Sequence, residues 1–263
     1  MKEDEKIPFT AHLEELRDRL IKAFIAVAVG FVISYAFKEK LFELLMHPLV
    51  SVMKKGDTLI FTGLPEAFFT YLKVSLLSGI LLATPVILYQ FWMFVAPGLY
   101  DKERRLLLPI IFLSSFFFLG GALFGYFIVF PFGFQFFLGF ATETIKPFPS
   151  MREYLSFSSK LLIAFGLVFE LPLIVTFMAK LGMVSVDFLK KNRKYALLLF
   201  FVAAAILTPP DVITQIMMAL PLMVLYEISI VGARIFGRRK ADVSEPADDE
   251  DNAAEKKAEN PDD

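Results

Sequence analysis

The chemistry open to this 263-residue chain rests on few side chains. There is no cysteine and only two histidines, His12 and His47. Disulfides, thiol nucleophiles, cysteine-held clusters and a His-rich metal centre are therefore not expected, and no cofactor or metal is assigned. An intramembrane enzyme needs a nucleophile with its base or a metal set. The apolar stretches carry neither Cys nor His, so no enzymatic activity is expected. The reactive inventory reduces to acids and bases in unusual places. Glu170 lies twelve residues into the apolar run that starts near Ser158, about 18 Å along at helical rise. An acid there costs several kcal/mol unless protonated or paired. Two readings stay open: a contact or functional group, or a protonated structural acid bonded to a carbonyl freed by Pro172. Gln90, Thr208 and Gln215 are milder cases, with polar groups suited to hydrogen-bonding a neighbouring or partner helix.

The elements that must position these groups are apolar helices. Hydrophobic residues make up 56% of the chain, 31 residues are Phe, and the mean hydropathy is +0.60, well beyond an ordinary soluble domain. Apolar stretches run over about 20–37, 67–94, 106–132, 158–180, 195–208 and 212–233, four of them long enough to cross about 30 Å of hydrocarbon. The fold class is all-α: a polytopic membrane protein with six transmembrane helices. The first stretch follows Arg17, Arg19 and Lys22 and is too long for a secretory signal, so it reads as a retained anchor. The last two read as short, with Tyr195–Leu207 and Val212–Tyr226 reaching only about 20 and 22 Å. Prolines at 85, 109, 131, 172 and 221 interrupt the spans, and Gly120, Gly121, Ala122 and Gly125 permit close helix contact. Before Pro48, the 37–46 segment has helical apolar spacing and suits a short interfacial helix. The loops 38–66 and 133–157 are expected to cap the bundle.

Charge sets orientation. Lys and Arg in short loops favour the cytoplasmic side, and alternate segments hold 17 and six of them. Both termini are therefore expected in the cytoplasm. Residues 1–240, the transmembrane domain, carry 25 bases and 18 acids, whereas residues 241–263 carry ten acids and two lysines. That acidic, apolar-poor tail is expected to be disordered. Nothing points to a nucleic-acid partner. Two charged clusters face the cytoplasm: His12-Leu-Glu-Glu-Leu-Arg-Asp-Arg19, with Glu15 and Arg19 at i, i+4, and Asp101-Lys-Glu-Arg-Arg105. Taken alone, each reads as topology-setting charge.

Together the motifs say more. Pro85-Val-Ile-Leu-Tyr-Gln-Phe-Trp-Met-Phe-Val-Ala-Pro-Gly-Leu-Tyr100 through Glu103-Arg-Arg, with His12-Leu-x-Glu-Leu-Arg17, Phe165-Gly-x-x-Phe-Glu-x-Pro172 and Thr208-Pro-Pro-Asp-x-x-x-Gln215, resembles TatC, the six-helix core subunit of the twin-arginine protein translocase. The likeness runs in order from residue 8 to 236. It implies a receptor in the bacterial inner membrane for folded proteins whose signal peptides carry two adjacent arginines, exported by the proton-motive force. By the same resemblance, Glu15, Arg17, Phe94 and Glu103 fall on the signal-peptide surface, with Pro97 in the same stretch. Glu170, Thr208 and Gln215 fall on contacts for single-span partners of the TatA and TatB types. Pro48, Pro85 and Asp211 fall on structural or extracytoplasmic positions, and self-association in a receptor complex is implied. One departure is Ala203-Ala-Ala-Ile-Leu207, smaller than the side chains expected before Thr208.

Elementary chemistry agrees with an Arg-Arg ligand, because a carboxylate receives a guanidinium fork in bidentate fashion and a lysine only as a point charge. The competing class is a proton-coupled small-solute transporter with Glu170 as its titrating group. It is disfavoured by the lack of an inverted repeat between the two halves.

Overall fold

The computed structural model describes residues 9–54, 58–96, 107–142, 146–207 and 212–237. Glu103, Thr208, Asp211, Pro97 and the acidic tail lie outside them. Among the described residues the fold is all-helical, with one isolated bridge between Ile60 and Ser150 in place of any strand.

The helices are α1 (Phe9–Ala36), α2 (Lys38–Val50), α3 (Glu66–Val95), α4 (Leu107–Phe124), α5 (Phe130–Leu138), α6 (Met151–Phe169), α7 (Leu171–Lys180), α8 (Val186–Lys191), α9 (Arg193–Leu207) and α10 (Val212–Phe236). Five stretches are long and apolar enough to cross a membrane: Ala11–Ala36, Glu66–Val95, Leu107–Leu138, Met151–Lys180 and Val212–Phe236. The fifteen residues of α9 reach about 22 Å and stand apart from these five.

Proline explains where the long spans break and where they do not. Pro131 and Pro172 occupy the first turn of α5 and α7, where a missing N–H is harmless. Ahead of Pro131 the ladder widens into a π turn over Gly125–Val129, and Phe130 donates to the Gly125 carbonyl. Ahead of Pro172 the chain turns at Glu170, whose N–H bonds the Leu167 carbonyl at 3.1 Å. By contrast, α3 continues through Pro85 and α10 through Pro221. In α3 the Thr84 hydroxyl donates to the Ile80 carbonyl at 3.0 Å, one residue before the carbonyl that Pro85 leaves without its donor.

Two expectations need correction. The 37–46 helix does not stop before Pro48 but runs to Val50. Pro48 deprives the Leu44 carbonyl of its helical donor, and the Tyr126 hydroxyl supplies a replacement. The final span is not short either: α10 is 25 residues long, about 37 Å, so only α9 is. Glu227, which reads as the end of the apolar stretch, is half exposed and pairs with Arg193 at 2.6 Å. A charge satisfied on one face leaves the helix free to continue.

Packing follows the small residues. Helix α1 lies along α3, α4 along α6, and α7 along α10, with α3 also touching α4 and α6. At the α1–α3 crossing, a Cβ on Gly30 or Gly79 would come within 2.6 Å of the other helix's backbone. Gly121 is equally tight, its Cβ site pressed on the Phe165 carbonyl oxygen, while Gly120 has nothing within 4 Å. The main core gathers Val74, Phe130, Leu155, Leu161, Phe165 and Met218. Outward faces stay apolar, as with Phe24 and Val32 on α1 and Phe112 and Phe116 on α4, which suits a lipid solvent.

Candidate functional site

The bundle has a capped end, where α2 and the loops before α3 and α6 meet, and an open end, where α1 begins and α3 finishes. Each end and the middle hold sequence-predicted residues.

At the open end, α1 and α3 bring Glu15 and Phe94 to one surface. Both nitrogens Nη2 and Nε of Arg19 donate to Glu15 Oε1, at 2.7 and 3.0 Å. Its Nη1 reaches across to Gln90 Oε1 on α3 at 3.3 Å. The His12 ring stacks on Phe94 with centroids 4.4 Å apart. Glu15 and Arg19 are partly shielded, at 27% and 19% exposure. This is a carboxylate that already accepts a guanidinium. Arg17, in contrast, points away from this cluster and pairs with its neighbour Asp18 at 3.1 Å on the exposed surface. The i, i+4 spacing identifies the Glu15–Arg19 pair, and the His12–Phe94 stack, 82 residues apart in the chain, has no local signal.

In the middle, Glu170 is 4% exposed. Its Oε2 accepts from the Ser114 hydroxyl at 2.5 Å, and the Ser114 oxygen accepts from Trp92 Nε1 at 3.1 Å. The indole in turn sits edge-on to Phe177, centroids 5.0 Å apart. The relay Trp92–Ser114–Glu170 therefore joins α3, α4 and the α6–α7 turn. Glu170 Oε1 is buried with no hydrogen-bond partner among the described residues. Of the two readings left open for this residue, the bond to a carbonyl freed by Pro172 is replaced by the bond to Ser114. Gln215 is engaged elsewhere: its Nε2 donates to the Phe201 carbonyl at 2.9 Å and ties α10 to α9.

At the capped end, Pro48 is buried in the last turn of α2, and the Tyr126 and Tyr154 hydroxyls donate to the Leu44 and Leu45 carbonyls. Pro85 sits further along α3 on an exposed face. A residue that the sequence reading missed organises this end. Glu66, 8% exposed, accepts at Oε2 from the Thr62 N–H (2.6 Å), the Thr62 hydroxyl (3.1 Å) and the Gly63 N–H (3.2 Å). At Oε1 it accepts from the Ser150 hydroxyl (2.8 Å) and the Arg152 N–H (2.9 Å). Beside it, Ile60 donates to the Pro149 carbonyl and accepts from the Met151 N–H. One carboxylate thus clips the two loops together. Its local signal was an acid opening the α3 stretch just after Thr62-Gly63, the kind of position that caps a helix.

Among the described residues no cluster of His, Cys, Asp and Glu could hold a metal ion. A helical bundle with several membrane-length apolar helices, a loop cap and a buried acid at a helix break defines a multi-pass membrane protein. Residues 11–221 match the family described as Sec-independent protein translocase protein (TatC). The TatC protein of Desulforapulum autotrophicum is 67% identical over 95% of this chain and 93% of its own length. That of Escherichia coli K12 is 39% identical over 87% and 89%. A crystal structure described as the twin arginine translocase receptor TatC superposes with a TM-score of 0.78 at 41% identity, covering 86% of this chain and 100% of the other. The chain belongs to the TatC family, and its relatives are named for a transport role.

Proposed function

We propose that this chain is the receptor and core subunit of a twin-arginine translocase. It binds Arg-Arg signal peptides of folded cargo at the open end, which faces the cytoplasm with both termini, and recruits TatA-type and TatB-type single-span proteins for export driven by the proton-motive force. In this reading α9 is a sixth, short span in the bacterial inner membrane. The observation that carries the proposal is the partly shielded Glu15 carboxylate, held by a guanidinium and set beside Phe94. It supports the reading by offering the chemistry that an arginine ligand needs, in a chain similar to one described as a twin arginine translocase receptor. Glu103 supplies the second acid of the surface, and Arg17 an exposed flank. Glu170, Thr208 and Gln215 serve the partner helices.

Charge-assisted hydrogen bonds are worth about 1.5–3 kcal/mol each, enough for roughly tenfold discrimination of arginine from lysine per contact. The test is site-specific photo-crosslinking in membrane vesicles from a probe beside Glu103, comparing an Arg-Arg signal peptide with its Lys-Lys counterpart. Crosslinking should fall with Lys-Lys and with Glu103→Gln. Absence of any crosslink in a correctly inserted protein would overturn the proposal in favour of a proton-coupled solute transporter working through Glu170.

A further inference from the structure

The capped end also holds a cavity that the translocase reading does not use. It measures about 420 Å³ and lies between the loop before α3, the first turns of α3 and the first turns of α6. Its polar lining comprises Thr62, Glu66, Thr70, Lys73 and Arg152. The Glu66 carboxylate is occupied by the five donors described above. Neither the Lys73 ammonium nor the Arg152 guanidinium has an ion pair or hydrogen bond among the described residues, and both residues are exposed. The ionisable lining thus holds one acid whose acceptors are engaged and two cations whose donors are free.

Depth narrows what those donors are for. Lys73 lies seven residues beyond Glu66 on α3, about 10 Å further along the helix. A lysine inside an apolar span reaches for the polar interface or takes an anionic partner. Arg152 lines the same cavity from the first turn of α6, and a guanidinium fork matches phosphate oxygens. The apolar part of the lining includes Phe69 and Leu155, and Phe69 is 54% exposed, as is its neighbour Phe68. A ligand for this cavity is therefore anionic at one end and apolar at the other.

The geometry points to a phosphate-binding site between Lys73 and Arg152, filled by the headgroup phosphodiester of an anionic lipid from the leaflet on the capped side. The phosphate takes the free donors of both cations, and the acyl chains leave along Phe68 and Phe69. A bound lipid would brace the loop that Glu66 clips.

The test uses the full chain purified in neutral detergent, titrated separately with phosphatidylglycerol, phosphatidylcholine and soluble glycerol phosphate. Bound lipid is read by native mass spectrometry, and the unfolding midpoint is followed in parallel. The variants are Lys73→Gln with Arg152→Gln, the charge-keeping pair Lys73→Arg with Arg152→Lys, and Lys160→Gln, which removes a span lysine outside the cavity. Phosphatidylglycerol should bind the parent, Lys160→Gln and the charge-keeping pair alike, and about tenfold more weakly the double Gln variant. Equal affinity in the double Gln variant and the parent would overturn the site. Equal protection by glycerol phosphate would overturn the lipid as its source. A charge-keeping pair that folds but fails to bind would overturn the role of the two cations.

Discussion

Two buried glutamates divide the molecule. Glu66 and Glu170 are 8% and 4% exposed, yet Glu66 spends both oxygens on five donors from the loop before α3 and the start of α6, whereas Glu170 has one oxygen on Ser114 and the other without a partner among the described residues. A carboxylate whose lone pairs are consumed internally is a fastener. One with an unused buried acceptor is suited to a further hydrogen-bond donor, a water or another chain. The difference separates a residue that holds the cap from the one we propose a partner helix engages.

Breaking Glu66 should have the largest effect. Glu66→Ala removes the acceptor of the Thr62 and Gly63 N–H groups and leaves the Arg152 N–H only the Ser150 hydroxyl, and should lower the unfolding midpoint more than any substitution below. It should also open the loops around residues 58–66 and 146–150 to protease, as thermal unfolding and limited proteolysis in detergent would register. Glu66→Gln, which keeps one acceptor but turns an amide toward donors, should lower the midpoint less. If both variants unfold like the parent, Glu66 is not a fastener.

Ser114→Ala comes next. It removes the donor to Glu170 and the acceptor for Trp92 Nε1, and should cost about 1–3 kcal/mol with a shift in Trp92 fluorescence, Trp92 being the only tryptophan in the chain. An unchanged emission maximum would argue that the relay is not formed. The smallest effect on stability belongs to Glu15→Gln, which breaks one i, i+4 pair and should cost less than about 0.5 kcal/mol. Its consequence should appear instead as weaker crosslinking to an Arg-Arg peptide. Large destabilisation would make Glu15 a structural residue like Glu66.

The contrast also marks what could be read from the chain. Long apolar runs reveal four spans at once, because lipid leaves only continuous helices as solutions, and Glu170 is visible as an acid out of place. The identity of Glu170's partner is not, since Ser114 lies 56 residues away and Ser is common in apolar helices. Glu66 looks like an ordinary helix-opening acid, and its importance appears only when Ser150 and Arg152 arrive from the start of α6. The end of α2 and the length of α10 differ from the sequence expectation for a shared reason. Pro48 and Glu227 are local stop signals, and each is neutralised by a distant side chain, Tyr126 in one case and Arg193 in the other. The glycines show the same limit: Gly120 and Gly121 are neighbours of one composition, but only Gly121 faces Phe165.

The most direct test replaces Glu170 by Ala and reads two quantities in the same preparation: the unfolding midpoint in detergent, and the amount of TatA-type and TatB-type partner that co-purifies. The expected result is a stability within about 1 kcal/mol of the parent, because only one neutral donor loses its acceptor, together with loss of most of the partner. Destabilisation as large as that of Glu66→Ala, or full partner recovery, would contradict the division between the two glutamates.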